Sequence, residues 1–356
     1  MGIVEWDSRV RQGSVAGDRS DGVEEDTVRG LVLSLAREPH IRAFLTRGPG
    51  RTLARRFVAG DTLAEGLTAA LALWRSGARV SLDYLGEAVT SLADAEAAYA
   101  VYRQTLDHLH RIAVPATLSV KPSQFGIDLS RADALRLLSE LVDRAAQVPT
   151  GIRLDMEDSS RTDATLWLWD QLRQQGRSVG VVLQAALYRT PVDLERVIAA
   201  GGSVRLCKGA YAERATVAHP RKSDVDAAYR RLLERLLDYA AAAPPPGPGG
   251  LPPAAIATHD LRLIQSALDQ IHTLELPPDR YEFQMLYGVR RDLQQWLIAA
   301  GYPLRVYTPW GPSWYPYLSR RLAERPANLL FLLRALLAEA VVVRRSTGPT
   351  AGTVRR

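Results

Sequence analysis

Three features of the chain predict a (β/α)8 barrel: eight short β-prone runs between Arg79 and Tyr307, a longer amphipathic stretch after nearly every run, and polar residues closing each run. Repeats of roughly 23 to 50 residues suit a barrel. A doubly wound sheet fits less well, because no Gly-x-Gly-x-x-Gly turn follows the first run. The 356 residues, 47% of them hydrophobic, are enough for one barrel with a large buried core.

Residues 1–25 are rich in Gly, Asp, Ser and Arg and are expected to be disordered. Residues 26–77 carry helical apolar periodicity, interrupted at Gly48-Pro49-Gly50, and read as an N-terminal helical segment. The barrel with its C-terminal helices is expected over 78–345. Its strands are read at 79–84, 116–121, 152–155, 180–184, 204–208, 255–259, 281–285 and 304–307. Ser130 reads as the N-cap of a helix over 134–146, and Thr190 followed by Pro191 marks another over 194–199. The Pro-Gly stretch 241–253 reads as a surface insertion; its prolines lack the amide donors a phosphate cradle needs. The apolar stretch 328–343 is broken by Arg334 and Glu339, which suits packing or a peripheral membrane contact better than a span. The basic residues 346–356 read as a disordered tail.

A net charge of +6, spread along the chain, points to an acidic substrate, a nucleotide cofactor or an anionic membrane surface. No zinc-finger spacing or basic helix points to nucleic acid. Cys207 alone allows neither an intrachain disulfide nor a thiolate metal cage, so no metal site is expected and a reducing compartment is. Met1 is followed by polar residues and no apolar run, so no secretory signal is expected. The expected location is the cytoplasm, with peripheral attachment at the inner face of the cell membrane as the variant.

The carboxyl ends of barrel strands build active sites. Lys121 closes strand two, Asp155 strand three, Gln184 strand four, Arg205 and Lys208 strand five, Thr258 and His259 strand six, Gln284 strand seven and Tyr307 strand eight. Taken singly, Lys121 with Asp155 reads equally as a structural ion pair at the rim, and His259 as a satisfied core histidine. Taken together they describe a charged, hydrogen-bonding pocket. Beyond them, Tyr317-Leu318-Ser319-Arg320-Arg321-Leu322-Ala323-Glu324 sets two guanidinium forks one helical turn after a tyrosine and one before a glutamate. That spacing suits a carboxylate clamp, and equally a solvated helix with an Arg320–Glu324 ion pair.

The chain resembles the proline dehydrogenases, specifically the monofunctional bacterial type. The resemblance rests on Leu118-Ser119-Val120-Lys121, Leu154-Asp155-Met156-Glu157, Arg205-Leu206-Cys207-Lys208-Gly209-Ala210-Tyr211, Ala257-Thr258-His259-Asp260, Tyr281-Glu282-Phe283-Gln284-Met285-Leu286 and the 317–324 segment, between Phe57 and Asn328. It implies a barrel with an extra C-terminal helix over its mouth, FAD as cofactor, and hydride transfer from L-proline to flavin N5, giving 1-pyrroline-5-carboxylate. A quinone-type acceptor would take the electrons.

Carried over by position, Arg320, Arg321 and Lys121 would meet the proline carboxylate, while Tyr211, Leu286, Tyr307 and Tyr317 wall the ring. Asp155 would pair with Lys121, and the base that deprotonates the amine stays unassigned. Arg205 and Gln184 would face the flavin ring. Lys208, Gly209, Ala210, Thr258, His259, Met156, Gln284 and Glu324 would make the remaining cofactor contacts. The resemblance departs at Asp260, where the larger bifunctional relatives commonly have Asn, and in the long stretch 241–253. It implies no nucleic-acid partner and sets no oligomeric state. Two other readings are a Schiff-base lyase of aldolase type, with Lys121 or Lys208 as nucleophile, and a non-catalytic barrel that serves as a binding module.

Overall fold

The computed structural model describes residues 51, 54–148, 150–247 and 250–323. The chain divides into two compact units; within the described residues the first runs from Phe57 to Trp314, and the second takes in residues 51, 54–56 and 315–323. The readings made for 1–25, 26–50, 328–343 and 346–356 lie outside the described residues.

The first unit is a closed parallel barrel with strand order β1 to β8. Its strands are β1 (Arg79–Tyr84), β2 (Ala116–Val120), β3 (Ile152–Leu154), β4 (Val179–Gln184), β5 (Val204–Cys207), β6 (Ala254–Ala257), β7 (Tyr281–Leu286) and β8 (Leu304–Trp310). Helix α1 (Leu63–Arg75) precedes the barrel. The crossover helices are α2 (Leu92–Ile112), α3 (Arg131–Ala146), α4 (Thr162–Gln174), α5 (Thr190–Ala199), α6 (Lys222–Ala242), α7 (Leu261–Thr273) and α8 (Arg291–Ala299). No described helix is long and apolar enough to cross a membrane.

Local chemistry starts these helices. Thr62 and Glu65 form a reciprocal capping box at α1, and the Ser130 hydroxyl accepts from Asp133 N at 3.2 Å at α3. The helix marked by Thr190 and Pro191 begins earlier than 194: Thr190 is the first residue of α5, and its hydroxyl donates to the Gln184 carbonyl at 2.5 Å, tying the helix to the end of β4. The strands fall close to their expected places except at the last. There the expected strand ends at Tyr307, yet β8 continues to Trp310, and the Pro309 carbonyl accepts from Ala59 N at 2.8 Å.

Side chains alternate across the barrel wall. Val80, Leu82, Leu118, Val120, Leu154, Val181, Leu206, Ile256, Phe283 and Val306 join the apolar core that the helices cover. The intervening residues meet one another across the lumen, as the bonds from Arg205 on β5 to Ser119 on β2 and from Arg305 on β8 to Thr117 on β2 require. Barrel interiors are usually filled by branched aliphatic side chains. Here the lumen holds Ser81, Asp83, Thr117, Ser119, Lys121, Asp155, Arg205, Glu282, Gln284 and Arg305, all buried.

The groove between β8 and β1, which the helix after strand eight fills in a regular barrel, is covered by α1. Gly66 permits the close approach: a β-carbon there would lie 2.9 Å from Trp310 Cγ. The stretch 241–253 also differs from a simple surface insertion. Its first part is largely exposed, but Leu251, Pro252 and Pro253 are buried, and Ser203 Oγ donates to the Pro252 carbonyl at 2.5 Å. The apolar leucine ahead of two prolines is what docks.

Helix α9 (Trp314–Ala323), which lies in the second unit from Tyr315 onward, supplies the expected further helix after β8. Tyr317 and Leu318 on it are buried, and Ser319 Oγ donates to the Tyr315 carbonyl at 2.9 Å.

Candidate active site

The carboxyl end of the lumen is organised around Lys121, which immediately follows β2 and is 6% exposed. Its ammonium lies 2.6 Å from Asp83 Oδ1, 3.2 Å from the Tyr307 hydroxyl and 3.5 Å from Asp155 Oδ2. The expected Lys121–Asp155 pair is therefore the looser of two contacts, and Asp83 on β1 is the close partner. The reason lies in what else holds Asp155: Arg205 Nη1 donates to its Oδ1 at 2.9 Å and the Tyr307 hydroxyl to its Oδ2 at 2.7 Å. Arg205 continues to Ser119 Oγ at 3.0 Å, and its guanidinium lies 5.2 Å from the centre of the Tyr307 ring. Tyr307 lies inside β8 because the strand extends three residues further.

Burial pulls the Lys121 ammonium down, but the carboxylate of Asp83, with Tyr307 and Asp155, overturns this and leaves it well above the usual lysine value. Burial pushes Asp83 up, as does Asp155, while Lys121 opposes both. Burial and the two carboxylates also hold the Tyr307 phenol well above its usual value, so it stays a donor. Two polar atoms of this cluster, Asp83 Oδ2 and Arg205 Nε, are buried without a hydrogen-bond partner among the described residues.

Loops after β3, β4 and β5 form the next part of the rim. Glu157 accepts from Ser123 N at 2.9 Å and from Ser123 Oγ at 2.5 Å; burial raises its carboxyl against those bonds. The Gln184 amide donates to the Glu157 carbonyl at 2.8 Å. Glu213 accepts from Ser159 N at 2.7 Å and from Ser159 Oγ at 2.5 Å, fastening the segment beyond Tyr211 to the loop after β3. Gly209 has φ +118, and a β-carbon there would lie 3.2 Å from Gln184 Oε1 and Ala186 Cβ, so bare backbone is required. Ala210 and Tyr211 follow, half-buried.

A second charged group stands beside β5 and β6. Lys208 pairs with Asp226 on α6 and with Asp260 Oδ2 at 2.8 Å. Although burial works the other way, the Lys208 ammonium holds the Asp260 carboxyl below its usual range. Asp260 N donates to Thr258 Oγ1 at 3.1 Å. His259 Nε2 accepts from Leu286 N at 2.9 Å, which assigns the proton to Nδ1 when the ring is neutral and pins the loop after β6 to the end of β7.

Of the sequence-predicted residues, Lys121, Asp155, Arg205 and Tyr307 meet directly. Gln184 and Gly209 adjoin one another, and Lys208, Thr258, His259 and Leu286 line the strand ends from β5 to β7. Gln284 is placed differently from expectation: β7 ends at Leu286, and the Gln284 amide donates to Glu282 Oε1 at 2.6 Å, deeper in the lumen. Met156 is buried in the apolar core. Tyr317, Arg320 and Arg321 fall on α9; the side chains of the two arginines, and Glu324 entirely, lie outside the described residues. Sequence reasoning missed Asp83, Ser119 and Glu157. The polar residues alternating in Arg79-Val80-Ser81-Leu82-Asp83 could have exposed the first.

A closed barrel with a buried charged and hydrogen-bonding cluster at its strand ends defines a barrel enzyme for a small polar substrate. The family model described as Proline dehydrogenase matches residues 67–334. Proline dehydrogenase 1 of Bacillus subtilis (strain 168) is 34% identical over 313 residues, covering 87% of this chain and 99% of its own. The proline dehydrogenase of Deinococcus radiodurans is 37% identical over 318 residues, with 87% and 97% covered. The chain belongs to the proline dehydrogenase family and is an oxidoreductase acting on proline. Its fold is similar to that of proline utilization A from Bdellovibrio bacteriovorus inactivated by N-propargylglycine, with a TM-score of 0.72 at 22% identity. The match covers 85% of this chain and 37% of that longer one.

Family membership disposes of the non-catalytic barrel. The Schiff-base alternative also loses Lys121 as its nucleophile, since an imine-forming lysine must be neutral while Asp83 keeps Lys121 charged; Lys208 is engaged in ion pairs with Asp226 and Asp260.

Proposed function

We propose that the chain oxidises L-proline to 1-pyrroline-5-carboxylate with FAD and passes the electrons to a quinone-type acceptor. The observation that carries this reading is the Asp83–Lys121–Asp155–Arg205–Tyr307 cluster at the strand ends. Its two cations and two carboxylates cancel, so the positive charge for a substrate carboxylate comes from Arg320 and Arg321. Lys121 meets the same carboxylate from below. Tyr211, Leu286, Tyr307 and Tyr317 wall the ring and keep water from it.

Both oxygens of Asp155 are engaged, Oδ1 by Arg205 and Oδ2 by Tyr307 and Lys121. Asp155 thus orients three donors, and taking the amine proton falls to another group. The residues around β5 fit a flavin: Arg205 has a buried nitrogen to spare, and Gly209 offers backbone that no side chain covers. Arg205 with Gln184 faces the ring, while Lys208, Gly209, Ala210, Thr258, His259, Met156, Gln284 and Glu324 hold the remainder. Bound there, the flavin supplies the two-electron acceptor for the C–H bond beside the ring nitrogen. A fixed guanidinium favours the anionic reduced form of that acceptor.

Anaerobic addition of L-proline to FAD-reconstituted protein is expected to bleach the flavin absorbance, and a quinone analogue to restore it. Unchanged absorbance in a reconstituted, folded sample would overturn the reading.

A further inference from the structure

The closest contact of Lys121 is with Asp83, a member of the cluster to which the reading above gives no role of its own. Asp83 is fully buried on β1, its Oδ1 is 2.6 Å from the Lys121 ammonium, and its Oδ2 has no hydrogen-bond partner among the described residues. A buried carboxylate with half its acceptors idle costs stability unless its charge is used. We propose that Asp83 is a positioning residue that holds Lys121 as a cation, aimed at the strand ends, so that it can meet the carboxylate of the substrate. The proposal rests on the proposed function in taking Lys121 to face that carboxylate.

The surroundings of Lys121 leave this task to Asp83. From β3, Asp155 is farther away at 3.5 Å and already shared with Arg205 on β5; Glu157, just beyond it, is occupied by Ser123. From β8, Tyr307 brings a neutral hydroxyl, and from α2 Tyr102 brings another, spent on the Ser119 carbonyl at 3.1 Å and Gln124 at 2.9 Å. Glu87, on the loop after β1, acts only through its field, and more weakly than Asp83. Burial holds both phenols well above their usual range. Lys121 is therefore the cation of this cluster that leans most on Asp83 to stay charged. Without Asp83, burial acts on the ammonium with its nearest counter-charge gone, and the proton leaves at lower pH.

The test is binding of cyclopentanecarboxylate, a ring carboxylate with no amine to titrate, measured by calorimetry on FAD-loaded protein. The wild-type Kd is expected to stay within about twofold between about pH 7 and about pH 10, while in Asp83→Asn it rises at least about tenfold over that span. Adding Lys121→Arg to that variant, which restores a charge that cannot titrate, is expected to flatten the profile. Asp83→Ser serves equally if the asparagine variant does not fold. An affinity lost uniformly at every pH, as a merely structural role would give, or an unchanged affinity at every pH, overturns the proposal. If the wild type is reduced by proline and the Asp83→Asn variant gives either result, this inference alone is sunk; wild-type protein that binds no ring carboxylate at about pH 7 sinks the functional reading beneath it as well.

Discussion

At the amino end of the lumen, Glu282 accepts both arms of the Arg305 fork at 2.7 and 2.9 Å and takes further bonds from Arg79 at 3.2 Å and Gln284 at 2.6 Å. Arg305 spends another nitrogen on the Val80 carbonyl at 2.8 Å, and Arg153 is spent on the carbonyls of Val181 and Ser203 and on the Ser203 hydroxyl. At the carboxyl end, Asp83 offers one oxygen to Lys121 and leaves the other bare, and Arg205 keeps a bare Nε. Both layers are made of buried arginines and carboxylates. They differ in saturation: no side-chain polar atom of Glu282 or Arg305 is buried without a partner among the described residues. A saturated network fixes a wall, and an unsaturated one holds capacity for a ligand.

The largest expected effect comes from breaking each layer at its arginine. Arg305→Met strips Glu282 of its fork and is expected to cost about 3–5 kcal/mol of unfolding free energy in a denaturant titration. Arg205→Met is expected to cost less stability, since Asp155 keeps Lys121 and Tyr307, but to lower kcat by about 10² to 10³. If both variants lose stability alike and activity alike, the contrast between the layers is wrong.

A somewhat smaller effect sharpens the comparison through acid. Burial raises the Glu282 carboxyl, but Arg305, with Arg79 and Arg153, outweighs it and brings the value from 4.5 down to about 2. A carboxyl lowered on folding contributes stability that is complete above its unfolded value and disappears as pH falls through the folded one. Between pH 4.5 and about 2 the wild type is expected to lose on the order of 3 kcal/mol that a Glu282→Gln variant, less stable at neutral pH, does not lose in that window. Parallel acid titrations of the two proteins check this.

The smallest effect is at the top. Tyr307→Phe removes one bond to Asp155 and one from Lys121 and is expected to lower kcat/KM about tenfold, with stability changed by about 1 kcal/mol. A loss falling on stability in place of kcat/KM would move Tyr307 to the saturated class.

Much of this was legible in the sequence. Strand runs such as Val181-Val182-Leu183 stand out because short β-branched segments alternate with long amphipathic ones, and Lys121, Asp155, Arg205 and Tyr307 stood out as polar groups closing apolar runs. The pairing was not legible. Which carboxylate takes Lys121 depends on how the β1 and β2 registers bring Asp83 beside Ser119, and on Arg205 having drawn Asp155 away; both are set by closure of the barrel. The expected β7 ends at Met285, with Gln284 beside its end, whereas pairing to β8 carries the strand on to Leu286. Buried Leu251 was hidden among prolines that, taken alone, describe a linker.

The helix that seals β8 to β1 comes from ahead of the barrel, with Gly66 against Trp310 as its point of closest approach. Closure of the wall thus rests on a contact made before the first strand, and any side chain at position 66 larger than a hydrogen would have to displace Trp310 and loosen the β8–β1 seam.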